Sequence, residues 1–170
     1  MKKTFFINSF LLFFLGLISS LSLPPLNFFF INFFTFSNLF IFLFKKLTNR
    51  SNKKIFFYYG WIFGFGYFIS SLYWITISLT FDKNFTFLIP IAIILIPAFL
   101  AIFYGIVTFI FYLFNFKNLV SAFLLFSLLF GLTEFIRGNV LTGFPWNLII
   151  YSFFENLGFV SFISLIGTYS

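Results

Sequence analysis

Residues 28–71 read FFFINFFTFSNLFIFLF (28–44), KKLTNRSNKK (45–54) and IFFYYGWIFGFGYFISS (55–71). Two apolar runs flank a short polar segment that carries five cations and no acid. A helix needs roughly 20 apolar residues to cross the ~30 Å hydrocarbon core of a bilayer, with a lower limit near 17. A backbone in hydrocarbon must also satisfy its own polar groups, which a helix does within a single segment. The stretch therefore reads as two helices joined by a cationic turn at one membrane surface. The fold class it sets is an all-α, polytopic membrane bundle.

The rest of the chain agrees. Of 170 residues, 62% are hydrophobic and 8% charged, against about half and a quarter in a soluble domain. Phe alone contributes 37 residues, an excess that follows A/T-rich coding, so no single Phe is read as a functional choice. The net charge of +7 does not point to nucleic acid, because the cations flank apolar runs and form no basic face. The chain has no Cys and no His. Disulfides, thiol nucleophiles, thiolate or imidazole metal sites and a histidine base are thereby excluded from it. Nothing in it points to a cofactor or a metal.

Working outward, the spacing predicts helices over about 5–23, 28–44, 55–80, 90–114 and 119–136, with a sixth over 157–170 that is cut short at Ser170. That makes about five full transmembrane helices plus a truncated one. The opening MKKTFFINSFLLFFLGLISS resembles a secretory signal but lacks a small-x-small cleavage site, and a second apolar run follows at once. It reads as an uncleaved first helix. Between Lys83 and Lys117 lie 33 uncharged residues, about 50 Å as helix, which is longer than a bilayer core. Pro90 falls in the first turn there, and Pro97 is expected to kink the helix.

Charge placement sets the orientation. If Met1 is cytoplasmic and every segment crosses, eight cations lie inside, among them the 45–54 cluster and Lys117. Only Lys83 and Arg137 lie outside, together with Asp82, Glu134 and Glu155. This obeys the positive-inside rule at each crossing and places the 137–156 loop outside.

Candidate functional residues lie in two places. On the third segment Gly60, Gly64, Tyr67, Ser71, Trp74 and Ser78 fall within about 80° of one another at 100° per residue. A small-residue face of this kind serves either helix packing or a groove for a lipid chain lined by Tyr67 and Trp74. Trp61 and Trp74 also suit an interfacial aromatic belt. The second place is TEFIRGNVLTGFPW (133–146), where Glu134 and Arg137 share a helix face at i, i+3. Gly138 is positioned as a left-handed cap, and Gly143 and Pro145 stiffen the loop after it. Charges beside hydrocarbon are functional candidates by default. A structural salt bridge anchoring the helix end is the plain alternative.

Glu134-x-x-Arg137-Gly138, Thr142-Gly143-Phe144-Pro145-Trp146 and Tyr151 together resemble the signature of bacterial apolipoprotein N-acyltransferases. Gly60-Trp61-x-Phe63-Gly64-Phe65-Gly66, Tyr73-Trp74-Ile75 and the Pro24-Pro25 turn are similar to that family's membrane helices, in the same order. The resemblance implies transfer of an acyl chain from phospholipid to the N-terminal amine of a diacylglyceryl-cysteine lipoprotein in the bacterial inner membrane. It also implies that catalysis resides in a nitrilase-like domain with a Glu–Lys–Cys triad. That domain is absent from this chain, so no catalytic residue carries over and the fragment alone is expected to be inactive. The chain reads as the N-terminal membrane portion of such an enzyme, either truncated or one piece of a split protein. Its expected partners are a phospholipid acyl donor, a diacylated lipoprotein and the missing nitrilase-like domain. Substrate-contacting residues are expected at Trp146, Pro145, Gly143, Arg137, Tyr67 and Trp74, with Glu134 and Arg137 as a structural pair. A non-enzymatic membrane subunit, such as a permease or assembly component, is the alternative. The acids cluster at one interface and only one segment is proline-broken, which favours chemistry at the outer surface over transport.

Overall fold

The computed structural model describes residues 2–47, 52–114, 116–140, 147–153 and 161. The described residues form α1 (Lys2–Ser19), α2 (Phe30–Leu47), α3 (Lys53–Ser71), a single turn α4 (Ile75–Ser78), α5 (Ile89–Phe114) and α6 (Leu119–Asn139). Tighter 3-10 turns occupy Ser20–Ser22, Lys83–Leu88 and Ile149–Phe153, and no strand occurs among the described residues. The helix expected over 157–170 lies, Ser161 aside, outside them.

Helix starts are held by short polar side chains. Asn52 accepts from Lys54 N at the start of α3, and Asn118 accepts from Val120 N and Ser121 N at the start of α6. Each satisfies backbone donors that have no partner within the helix. Among the described residues, α1, α2, α5 and α6, with their flanking turns, are long and apolar enough to cross a membrane. Phe6, Phe10, Phe33, Leu95, Leu124 and Leu128 are each more than half exposed on those helices. Such a surface is suited to lipid rather than water. The chain is an all-α membrane protein.

α3 carries Lys53, Lys54, three tyrosines and three glycines, and it lies between α1 and α5. It runs parallel to α1, with Asn8 Nδ2 3.3 Å from the Tyr59 hydroxyl at one end and Phe13 against Phe65 further along. It runs antiparallel to α5, with Phe56 O accepting from the Thr108 hydroxyl at 2.7 Å and Gly64 against Ala101. Glycines allow both approaches. A methyl added at Gly16 would strike the Phe63 carbonyl oxygen, and one at Gly66 the Phe13 carbonyl oxygen. On the other side, methyls at Gly60 and Gly64 would meet Tyr104, Thr108 and Ala101. The small-residue face is thus a packing face at Gly60, Gly64 and the buried Tyr67.

The structure departs from the predicted elements at two points, the end of α3 and the end of α6. The helix expected over 55–80 stops at Ser71, and only the one-turn α4 follows. Past Leu72 the backbone tightens, with Ile75 N, Thr76 N and Ile77 N each donating to the carbonyl three residues back, and the Thr76, Ser78 and Thr80 hydroxyls donate at the same spacing, which competes with continued α-helix beyond α4. Pro97, where a kink is expected, lies buried within α5. Gly138 does not cap α6. The helix continues to Asn139, whose side-chain amide donates to Phe135 O at 2.8 Å, and Val140 N donates to Ile136 O.

Candidate functional site

The C-terminal ends of α1, α3 and α6 meet the start of α2 and the segment 147–153 at one end of the bundle. Glu134 and Arg137 sit there on the last turns of α6. Their i, i+3 spacing puts them on one face, and Arg137 Nη2 donates to Glu134 Oε2 at 2.7 Å. The pair is not at a solvated surface: Glu134 is 7% exposed and Arg137 2%. Arg137 lies 5.1 Å over the Phe68 ring of α3, a cation–π placement that gains from the absence of water.

The pair holds backbone that lies beyond α6. Arg137 Nη2 also donates to Asn147 O at 3.3 Å, and Ile149 N donates to Glu134 Oε2 at 3.3 Å. From α3 the Tyr67 hydroxyl donates to the same Asn147 carbonyl at 3.1 Å. Acid, base and phenol thus grip the chain at 147–149, directly after the TGFPW sequence (142–146). Asn147 has φ of 55°, a left-handed conformation that Asn adopts more readily than most residues. An ion pair cut off from water is held only where its remaining lone pairs and protons find partners. Two backbone groups of the loop supply some of those partners here.

A second set of polar contacts holds the far end of the same segment. Asn32 Nδ2 donates to the Ser152 hydroxyl at 3.2 Å, the Ser19 hydroxyl donates to Asn32 Oδ1 at 2.8 Å, and Thr35 donates to Ser19 at 3.0 Å. All four side chains are buried. Sequence reasoning missed them, although a signal was present: Asn32 and Thr35 interrupt an otherwise apolar run, and polar groups in a membrane segment seldom lack a role.

The expected contact residues are distributed as follows. Arg137 and Tyr67 converge on Asn147. Trp74 stands apart at the α3–α4 break, 42% exposed, and lines a cleft with Tyr151 and the Pro24-Pro25 turn. Trp61 is turned to α5, where its indole N–H donates to Ala98 O at 2.9 Å. Gly143, Pro145 and Trp146 lie outside the described residues. Among the described residues no three His, Cys, Asp or Glu side chains gather to hold a metal ion. The site as described clamps and positions a loop.

Comparison with known proteins gives one result. The chain is 36% identical over 143 residues to an apolipoprotein N-acyltransferase of Allorhizobium ampelinum, covering 80% of this chain and 27% of the relative. It is 37% identical over 158 residues to that of Rickettsia typhi, covering 92% and 30%. With that of Brucella melitensis it shares 44% over 94 residues, covering 55% and 18%. The chain thus spans less than a third of the length of these relatives. The sequence family described as the apolipoprotein N-acyltransferase N-terminal domain matches residues 15–170, a range that contains both polar clamps and the cleft, and the chain belongs to that family.

Proposed function

We propose that the chain is the membrane domain of an enzyme that moves an acyl chain from phospholipid to the N-terminal amine of diacylglyceryl-cysteine lipoproteins. The observation that carries this reading is the buried Glu134–Arg137 pair gripping 147–149 within a family match that spans 15–170. Acyl transfer through a covalent intermediate needs an activated nucleophile and a nearby base. The chain contains no Cys and no His, so the nucleophile belongs to a nitrilase-like domain outside this chain, docked over the clamped end. The membrane domain then presents lipid. Trp146 offers a large apolar ring with an N–H suited to headgroup level, and Gly143 and Pro145 limit the loop's freedom, so little ordering entropy is lost when substrate arrives. Tyr67 and Arg137 act as positioning residues through Asn147. The burial of Arg137 supports that role over direct contact with a lipid phosphate. Trp74, at the mouth of the cleft, lies against lipid.

The reading includes a place and an orientation: the bacterial inner membrane, with the N-terminus cytoplasmic and 137–156 periplasmic. In an enzyme carrying this segment, phospholipid and a diacylated lipopeptide should give triacylated product, detected by mass. Trp146→Ala should lower turnover several-fold at limiting lipid without loss of inserted protein, and the isolated 170-residue chain should show none. Turnover by the isolated chain, or none by the assembled enzyme, would overturn the proposal. Cysteine labelling should find Asn49 and Asn118 accessible from the cytoplasm, and Asp82 and Gly143 from outside. External labelling at Asn49 would reverse the orientation.

A further inference from the structure

Tyr104 on α5 is fully buried, and its ring belongs to the packed middle of the bundle. It lies edge-on to Phe130 at 5.0 Å, nearly parallel to Tyr67 at 6.0 Å and tilted against Phe68 at 5.2 Å. Each of these neighbours leads to the clamp. Phe130 is one turn before Glu134 on α6, the Tyr67 hydroxyl donates to Asn147 O, and Phe68 lies under Arg137. The Tyr104 hydroxyl accordingly lies beside the Glu134 carboxylate, within reach of its charge and its lone pairs.

Two atoms there are buried and complete no hydrogen bond: the Tyr104 hydroxyl and Glu134 Oε1. One carries a single proton to donate and the other is an acceptor. Both are cut off from solvent, where an unmade bond costs most for a charged group. The donors that the clamp already uses lie on the other oxygen: Arg137 Nη2 and Ile149 N both donate to Oε2. The Tyr67 proton is given to Asn147 O.

We propose that Tyr104 is a positioning residue of the clamp, its hydroxyl donating to Glu134 Oε1 and fixing the plane of the carboxylate that serves Arg137 and Ile149. The last torsion of a glutamate side chain is broad. A carboxylate held through one oxygen alone can swing about it, and a quarter turn carries Oε2 away from both of its donors. A donor on Oε1 from a different helix stops that swing. The ring of Tyr104 then serves helix packing, and its hydroxyl serves the loop. α5 thereby joins the support of the segment that the proposed function places beside substrate. This role stands on the clamp geometry and holds whatever chemistry is docked above it.

The test uses the full chain in lipid vesicles, isotope-labelled at the glutamate carboxyl carbon and at tyrosine Cζ. Glu155→Gln leaves Glu134 as the single glutamate. Solid-state NMR should show a cross-peak between that carboxyl and a tyrosine Cζ, and Tyr104→Phe should remove it. No cross-peak with Tyr104 in place, a result that needs no variant at the site, overturns the proposal, as does a cross-peak unchanged by Tyr104→Phe. Tyr104→Phe keeps the ring and should also speed amide exchange at Ile149 about tenfold, the factor that goes with losing a bond to a charged group, with exchange along α3 unchanged. In the Glu134→Leu, Arg137→Met background the same substitution should change Ile149 by a factor of about one, because the carboxylate is gone. Exchange at Ile149 untouched by Tyr104→Phe, or a tenfold effect that persists without Glu134, defeats the role. An equal rise along α3 would make Tyr104 a packing residue only. Neither measurement reads acyl transfer, so failure here leaves the transferase reading standing.

Discussion

The middle of the bundle and its clamped end are built by different means. In the middle, α3 meets α1 and α5 through Gly16, Gly66, Gly60 and Gly64, and the contact is backbone against backbone or ring. Aromatic rings fill what remains, as where Tyr104 meets Phe130 edge-on at 5.0 Å. At the end, the contacts are an ion pair and a chain of hydroxyl and amide groups. Lipid tails are as apolar as leucine, so burial does little to drive helices together, and close packing has to supply the attraction. Packing of that kind holds rigid helices well. A loop between them offers free N–H and C=O groups instead, and only polar partners fix it. The middle therefore sets which helices are neighbours, and the end sets where the 147–153 segment sits.

Removing one member of the Glu134–Arg137 pair should have the largest effect. Glu134→Ala leaves a guanidinium in a water-poor site and should cost about 3–5 kcal/mol, read as a fall in melting temperature of the detergent-solubilised chain. Replacing both, as Glu134→Leu with Arg137→Met, should recover much of the stability but leave 147–149 exchanging its amide hydrogens faster. A double variant that keeps slow exchange at 147–149 would show that the clamp does not hold the loop.

The glycine contacts come next. Gly60→Ala and Gly66→Ala should each lose about 1–3 kcal/mol through overpacking, with exchange rising along α3 and its partner rather than at 147–153. A melting temperature unchanged by both substitutions would mean that the helices have room to move apart, contrary to the close approach seen here. Smallest is the second polar contact. Asn32→Ala should cost about 0.6–2 kcal/mol, given the modest values of hydrogen bonds between membrane helices. Its signature is local: faster exchange at 150–153 with α3 unaffected. If exchange rises equally in both regions, the distinction between middle and end fails.

Much of this molecule was legible without coordinates. Apolar length and the 45–54 cations identified a helical membrane chain, because hydrocarbon admits few backbone solutions. The i, i+3 spacing alone placed Glu134 and Arg137 together, because helix geometry is local. What lies beyond one element was not legible. The burial of that pair, its hold on Asn147 and Ile149, and the convergence of Tyr67 on the same carbonyl depend on three chain segments meeting. The end of α3 at Ser71 was missed because apolar length suggested a longer helix, whereas the backbone tightens to three-residue bonding past Leu72, which hydropathy does not report. The choice between packing and lipid for the Gly60–Ser78 face likewise waited on tertiary structure. Its Gly60–Tyr67 part packs against α5, and its far end, from Ser71 to Trp74, opens on the cleft. Sequence determines what each segment is able to do in a membrane, since solvent and helix period act on it directly. Only the folded chain decides which polar groups find one another, since a hydrogen bond requires two segments at about 3 Å.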